Sequence, residues 1–157
     1  MMTQTVDYIN ERRLQLQRDA GAKGIDEEYV SCLVDTFYER IRTHQELGPI
    51  FDDVIKDNWA FHLERMKRFW VSVALHKPCY SGNPVPAHQK LEGVSAQHFA
   101  TWLQLFRETL NDTAPSPEAV EHFMERAERI ARSLQLAMFV PSGFPAAEGN
   151  VVEFKSV

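Results

Sequence analysis

Four stretches of the chain repeat large apolar residues at a spacing near 3.6, which predicts amphipathic helices. The first stripe is Val30, Leu33, Val34, Phe37, Tyr38 and Ile41. Asp26 stands before it as a cap, and Glu27 and Glu28 fall in the first turn, where the helix dipole favours acid. The second is Trp59, His62, Leu63, Met66, Phe69, Trp70 and Val73, with Asp57 or Asn58 as its cap. Ser95 is placed to cap the third, whose inner face is Phe99, Trp102, Leu103, Phe106 and Leu110. The fourth opens on Ser116-Pro117-Glu118, a cap followed by proline at the first helical position. It buries Val120, Phe123, Ala127, Ile130, Ala131, Leu134 and Met138. A weaker pattern over residues 6–19 predicts a charged, solvated leading helix, closed by Gly21-Ala-Lys-Gly24. Gly48-Pro49-Ile50-Phe51 reads as a sharp turn, with room for a short helical segment before it, that delivers Phe51 inward. No segment alternates as a strand does, so the fold class is all-α.

Between the second and third long helices lies Tyr80-Ser-Gly-Asn-Pro-Val-Pro-Ala-His88-Gln-Lys90. Its two prolines fix φ and disfavour helix in the residues before them, so any helix here is short and starts late. His88 then projects from a stiffly led turn toward whatever the flanking helices enclose. Such a histidine can be a metal or haem ligand, an acid/base group or an ordinary polar residue.

Its company bears on that choice. Tyr38, His62 and Trp102 are polar-tipped residues standing on apolar stripes, and a mostly apolar cavity with a few convergent polar groups describes a ligand site. With haem inside, His88 offers imidazole to the iron and a backbone carbonyl holds its other nitrogen. Phe51, Met66, Phe69 and Phe106 keep water out, and Val85 is a further wall. Tyr38 and Trp102 donate toward a bound diatomic, and His62 is a third donor, a water anchor or a gate. Read singly, the same residues are a core tyrosine, simple bulk and a satisfied histidine.

Composition narrows the classes. A net charge of -5 over 157 residues argues against a general nucleic-acid or anionic-membrane surface. No apolar run approaches the roughly 18 residues of a membrane span, and the first residues lack an apolar signal core. Cys32 and Cys79 are too few and too far apart for a disulfide framework or zinc knuckle. There is no GxGxxG and no P-loop. One cytoplasmic domain is the expectation.

The segments Thr36-Phe-Tyr-Glu-Arg40, Leu47-Gly-Pro-Ile-Phe51, Trp59-Ala-Phe-His62 with Phe69-Trp70, Tyr80-Ser-Gly-Asn-Pro, Ala87-His88 and His98-Phe-Ala-Thr-Trp-Leu-Gln-Leu-Phe106 resemble the truncated haemoglobins. The order, spacing and residue types are similar to group III, which combines distal tyrosine, histidine and tryptophan; the absence of any Gly-Gly fits that group. The resemblance implies two-over-two helices around haem b. His88 becomes the proximal iron ligand, and Tyr38, His62 and Trp102 the distal residues. Phe51, Met66, Phe69, Tyr80, Val85, Phe106 and Met138 line the cofactor. His98 is expected at the start of its helix rather than on the iron. By the same resemblance residues 26–139 are the globin domain; the N-terminal helical arm, 1–25, and the tail, 140–157, whose Pro, Gly and Ala predict flexibility, depart from the family pattern. The implied function is reversible binding of dioxygen, carbon monoxide or nitric oxide by a monomer or weak oligomer. Three buried donors point to slow release, hence to storage, scavenging or sensing more than bulk oxygen transport. The alternatives are an enzyme, doing nitric-oxide dioxygenation or peroxidase-like chemistry with an external reductase, and a haem-free helical interaction module. Peroxidase character would benefit from a carboxylate on the proximal imidazole, for which Glu92 is the nearby candidate, expected to be solvent-exposed.

Overall fold

The computed structural model describes residues 2–140. They form seven helices and no strand: α1 (Met2–Ala22), α2 (Glu27–Thr43), α3 (Leu47–Ile55), α4 (Trp59–Leu75), α5 (Val85–Gln89), α6 (Ala96–Thr113) and α7 (Pro117–Phe139). The tail expected beyond Val140 lies outside the described residues.

Three of the predicted caps set helix starts; at α4 Asn58 holds the cap position but makes no side-chain capping bond. Asp26 Oδ1 accepts from Tyr29 N at 2.7 Å. Ser116 Oγ accepts from Ala119 N at 3.1 Å and donates to Lys23 O at 2.7 Å, joining the start of α7 to the end of α1. At the start of α6, Ser95 N donates to His98 Nδ1 at 2.9 Å, so the His98 ring serves the helix terminus. All six residues of the first stripe are buried on α2. The stripe of α7 is buried from Val120 to Leu134, with Met138 half-buried near its end.

One local reading needs correction. The Gly48-Pro49 segment is not a turn: it lies inside the nine-residue α3. Pro49 is the third residue of that helix, where the missing N–H costs no intrahelical bond. Gly48 is there because α3 starts against the end of α2. A Cβ on it would stand 2.7 Å from the Arg42 carbonyl oxygen. The leading helix α1 also runs longer than residues 6–19, through Gly21.

The helices form two packed pairs, α2 with α4 and α6 with α7, joined by α2 lying on α6 and α4 on α7. Three residues connect α6 to α7, which makes them antiparallel neighbours. Helix α3 leans on α2, α5 on α7 and α1 on α4. Stacked rings cross the core from Trp102 to Phe106 (5.4 Å between centroids) to Trp70 (5.1 Å), and Phe123 closes the row at 5.7 Å.

The last carbonyls of α4 are satisfied by α7. Arg126 Nε donates to Val73 O at 3.2 Å and His122 Nε2 to Ala74 O at 2.9 Å. The other nitrogen of His122 accepts from Lys23 Nζ at 3.2 Å. Burial brings the His122 pKa down to about 4; Arg126 and Lys23 push the same way, against the Ala74 hydrogen bond and Asp19. An exposed histidine ionises near 6.5, so the unfolded chain binds the extra proton between about pH 6.5 and 4. Stability therefore falls as pH drops through that window and levels off below it, by roughly 2–3 kcal/mol from this group. His62 shifts the same way and adds to the slope. Urea unfolding at pH 7.5 and 4.5 checks this. His122→Gln should lose part of the wild-type drop, and an equal drop in the variant would remove His122 from the explanation.

Candidate functional site

Tyr38 and His62 face each other from the two helices of the first pair. Their rings meet edge to face at 5.1 Å, with an interplanar angle of 85°. Phe51, delivered by α3, lies 6.0 Å from the Tyr38 ring, and Trp59, the first residue of α4, lies 6.2 Å from Tyr38 and 5.8 Å from His62. Trp102 on α6 reaches the group through Phe37, whose ring is 5.3 Å from Tyr38 and 5.4 Å from Trp102. The fold thus brings Tyr38 and His62 into contact and leaves Trp102 one ring away from them, behind Phe37.

Their polar atoms are unusual in having no partners. His62 Nε2 is the one buried side-chain nitrogen or oxygen among the described residues that lacks a hydrogen bond. No hydrogen bond ties the Tyr38 hydroxyl or the Trp102 indole N–H to another described residue either. The neighbouring polar rings are satisfied: Trp59 Nε1 donates to Asp52 Oδ1 at 3.0 Å, and Tyr29 Oη shares a hydrogen bond with Thr113 Oγ1 at 2.9 Å. Buried polar groups cost free energy when left unpaired, so the buried, partnerless His62 Nε2 marks a place built for something else. Burial raises the Tyr38 pKa and keeps its hydroxyl a proton donor. It lowers His62 to about 4, with Arg65 and His88 adding in the same direction, so that ring is neutral at pH 7.

His88 sits on the one-turn helix α5, which Pro84 and Pro86 lead and stiffen. Its Nδ1 donates to Pro84 O at 2.8 Å. A carbonyl can only accept, so Nδ1 carries the proton and Nε2 presents a lone pair. Burial lowers the pKa of the ring, which favours this neutral form. Glu92 is exposed, and no carboxylate touches the His88 ring among the described residues.

Half-buried apolar side chains on the same elements pack against the core. Leu63 and Met66 share the inner face of α4 with His62, and Leu103 lies beside Trp102 on α6. Val85 is buried on α5, and Tyr80 packs edge to face on Phe69 at 5.3 Å. Phe69 and Phe106 stand deeper, in the core behind this lining. A cleft of about 550 Å³, lined by Pro49, Ile50, Asp53, Val54, Lys90, Leu91 and Glu92, opens between α3 and the turn after α5. The stripe pattern places Trp59 on the inner face of its helix but gives no sign of Asp52 as its partner. They are seven apart, and only the bend at Lys56, with φ of 54°, brings them together.

The chain matches the bacterial-like globin family over residues 22–136. It is 31% identical over 122 residues to the group 3 truncated hemoglobin ctb of Campylobacter jejuni, covering 76% of this chain and 95% of that protein. It is 28% identical over 120 residues to the group 2 truncated hemoglobin YjbI of Bacillus subtilis, covering 74% and 88%. The crystal structure of the group III truncated hemoglobin from Campylobacter jejuni superposes with a TM-score of 0.69 at 31% identity, over 76% of this chain and 96% of that one. Sequence, helix order and packing agree, and the chain belongs to the bacterial-like globins as a truncated haemoglobin of group III.

Proposed function

We propose that this globin holds haem b between His88 and the group Tyr38, His62 and Trp102, and binds a small diatomic ligand on the side of that group. The observation that carries the proposal is the buried, orphaned His62 Nε2, with the Tyr38 hydroxyl and the Trp102 N–H also without a partner among the described residues. It also supports the fit of the cofactor, because a diatomic held in that space would receive those hydrogen bonds. Among the described residues no three His, Cys, Asp or Glu side chains stand together to hold a bare metal ion. One imidazole is enough where a porphyrin supplies the other nitrogens.

When bound, haem supplies a ferrous iron that takes up dioxygen, carbon monoxide or nitric oxide reversibly. His88 offers Nε2 in a direction set by the hydrogen bond from Nδ1 to Pro84 O, which fixes both tautomer and ring plane. The neutral Tyr38 hydroxyl and the Trp102 N–H can each donate toward the ligand, and neutral His62 can donate from one nitrogen. In a low-dielectric pocket such bonds to a partly charged acceptor are strong. Phe51, Met66, Val85, Tyr80 and Met138 exclude water from both faces, with Phe69 and Phe106 backing them.

A carbonyl rather than a carboxylate on His88 supports a binder over a peroxidase. The globin unit is residues 26–139, and α1 is an arm on it. No helix among the described residues is long and apolar enough to cross a membrane. We place the protein in the cytoplasm as a monomer or weak oligomer, with any reductase supplied from outside.

The test is reconstitution. Haem-free protein titrated with haem should take up one equivalent and, after dithionite and carbon monoxide, give the absorption spectrum of a histidine-ligated carbon-monoxide complex. Failure to take up haem would return the chain to a helical module whose aromatic residues are core alone.

A further inference from the structure

We infer that Asp52, Trp59 and Arg42 form a latch that holds Tyr38 and His62 in place, which makes Asp52 a positioning residue for the ligand. The inference rests on the reading of Tyr38 and His62 as ligand donors and adds what keeps them aimed.

Trp59 is buried, and its ring touches both residues, at 6.2 Å from Tyr38 and 5.8 Å from His62. An indole is asymmetric, so its contacts depend on which way round it sits. That choice is made outside the site. The indole N–H donates to Asp52 Oδ1 at 3.0 Å. The Arg42 guanidinium lies 4.5 Å over the same ring, and Arg42 Nε is 4.0 Å from the same carboxylate oxygen. The Asp52 side chain is 53% exposed, so a solvated charge reaches the distal residues through the indole.

Three helices meet in this arrangement, each contributing one member of the latch and one of the site. Helix α2 carries Arg42 one turn beyond Tyr38, α3 carries Asp52 next to Phe51, and α4 carries Trp59 one turn before His62. A shift of α3 is therefore felt at the Tyr38 and His62 rings together. Apart from Trp59, the latch residues make no ring contact with the distal pair. Removing the carboxylate leaves the part-buried indole N–H without its protein acceptor. The ring then turns to find another, and both distal rings lose the wall they rest on.

The experiment is the infrared C–O stretch of the carbon-monoxide complex in wild type, Asp52→Ala, Asp52→Asn and Trp59→Phe. Hydrogen exchange of the Trp59 indole N–H, followed by nuclear magnetic resonance in the haem-free protein, accompanies it. Asp52→Asn keeps an acceptor oxygen and should keep the wild-type band. Asp52→Ala and Trp59→Phe should each gain a second band at higher frequency, from molecules in which the donors have swung away. Their oxygen dissociation should rise roughly 3- to 10-fold, as for weakening of one ordinary hydrogen bond. In haem-free Asp52→Ala the indole N–H should lose its protection. A wild-type band in Asp52→Ala, with haem bound, overturns the latch. Tyr38→Phe separates the two levels. If it moves the band and Asp52→Ala does not, the latch alone is wrong; if neither moves it, the donor reading fails as well.

Discussion

His88→Gly is expected to lose the histidine-ligated haem spectrum and to weaken haem binding by more than about 100-fold, beyond the usual cost of losing a supporting partner of a metal ligand. The side chain has no structural duty that would confuse the result. Its Nδ1–H reaches only Pro84 O, within its own turn, and α5 is held by its prolines and by packing on α7. The glycine variant should thus fold and leave an imidazole-sized space on the proximal side. Free imidazole added to the haem-loaded variant should restore the wild-type ferrous and carbon-monoxide spectra. The measurement is a haem titration followed by visible absorption, with and without imidazole. An unchanged spectrum without imidazole would mean that another residue holds the iron. His98 and His122 are poor substitutes, since the first caps α6 and the second caps α4.

Tyr38→Phe has the next largest expected effect, on ligand release rather than on folding. The ring keeps its edge contacts with Phe37, Phe51, Trp59 and His62, and only the hydroxyl goes. That hydroxyl has no partner among the described residues, so its removal should leave unfolding free energy unchanged within about 1 kcal/mol. In the ligand complex the same hydroxyl meets a partly charged acceptor, a hydrogen bond worth about 1.5–3 kcal/mol. Oxygen dissociation should therefore accelerate by roughly 10- to 150-fold, read by stopped-flow displacement with carbon monoxide. A rate within twofold of wild type, with haem bound, would take Tyr38 out of ligand stabilisation.

Much of this architecture is legible along the chain because helices announce themselves locally. Asp26, Ser95 and Ser116 stand directly before their apolar stripes, and all three start helices. Tyr38, His62 and Trp102 stand out as polar tips on those stripes; packing puts Tyr38 against His62, and Phe37 links Trp102 to Tyr38. Helix α3 is hidden in the sequence because Gly and Pro are strong turn signals; nothing local says that Pro49 falls in a first turn or that Gly48 is needed for contact with Arg42. The bond from Trp59 to Asp52 is hidden for a related reason, since it depends on the direction of the chain through Lys56. Nothing local marks His122, because its partners Lys23 and Ala74 are remote in sequence. The resemblance to group III carried the assignment of His88, which spacing alone left open among three roles.

The most direct measurement is a crystal structure of the haem-loaded protein with carbon monoxide bound. Electron density should run from His88 Nε2 to the iron, with the ligand on the opposite face and the Tyr38 hydroxyl within hydrogen-bonding distance of it. Iron bound to any other side chain, or a ligand lying away from Tyr38, His62 and Trp102, would contradict the site proposed above.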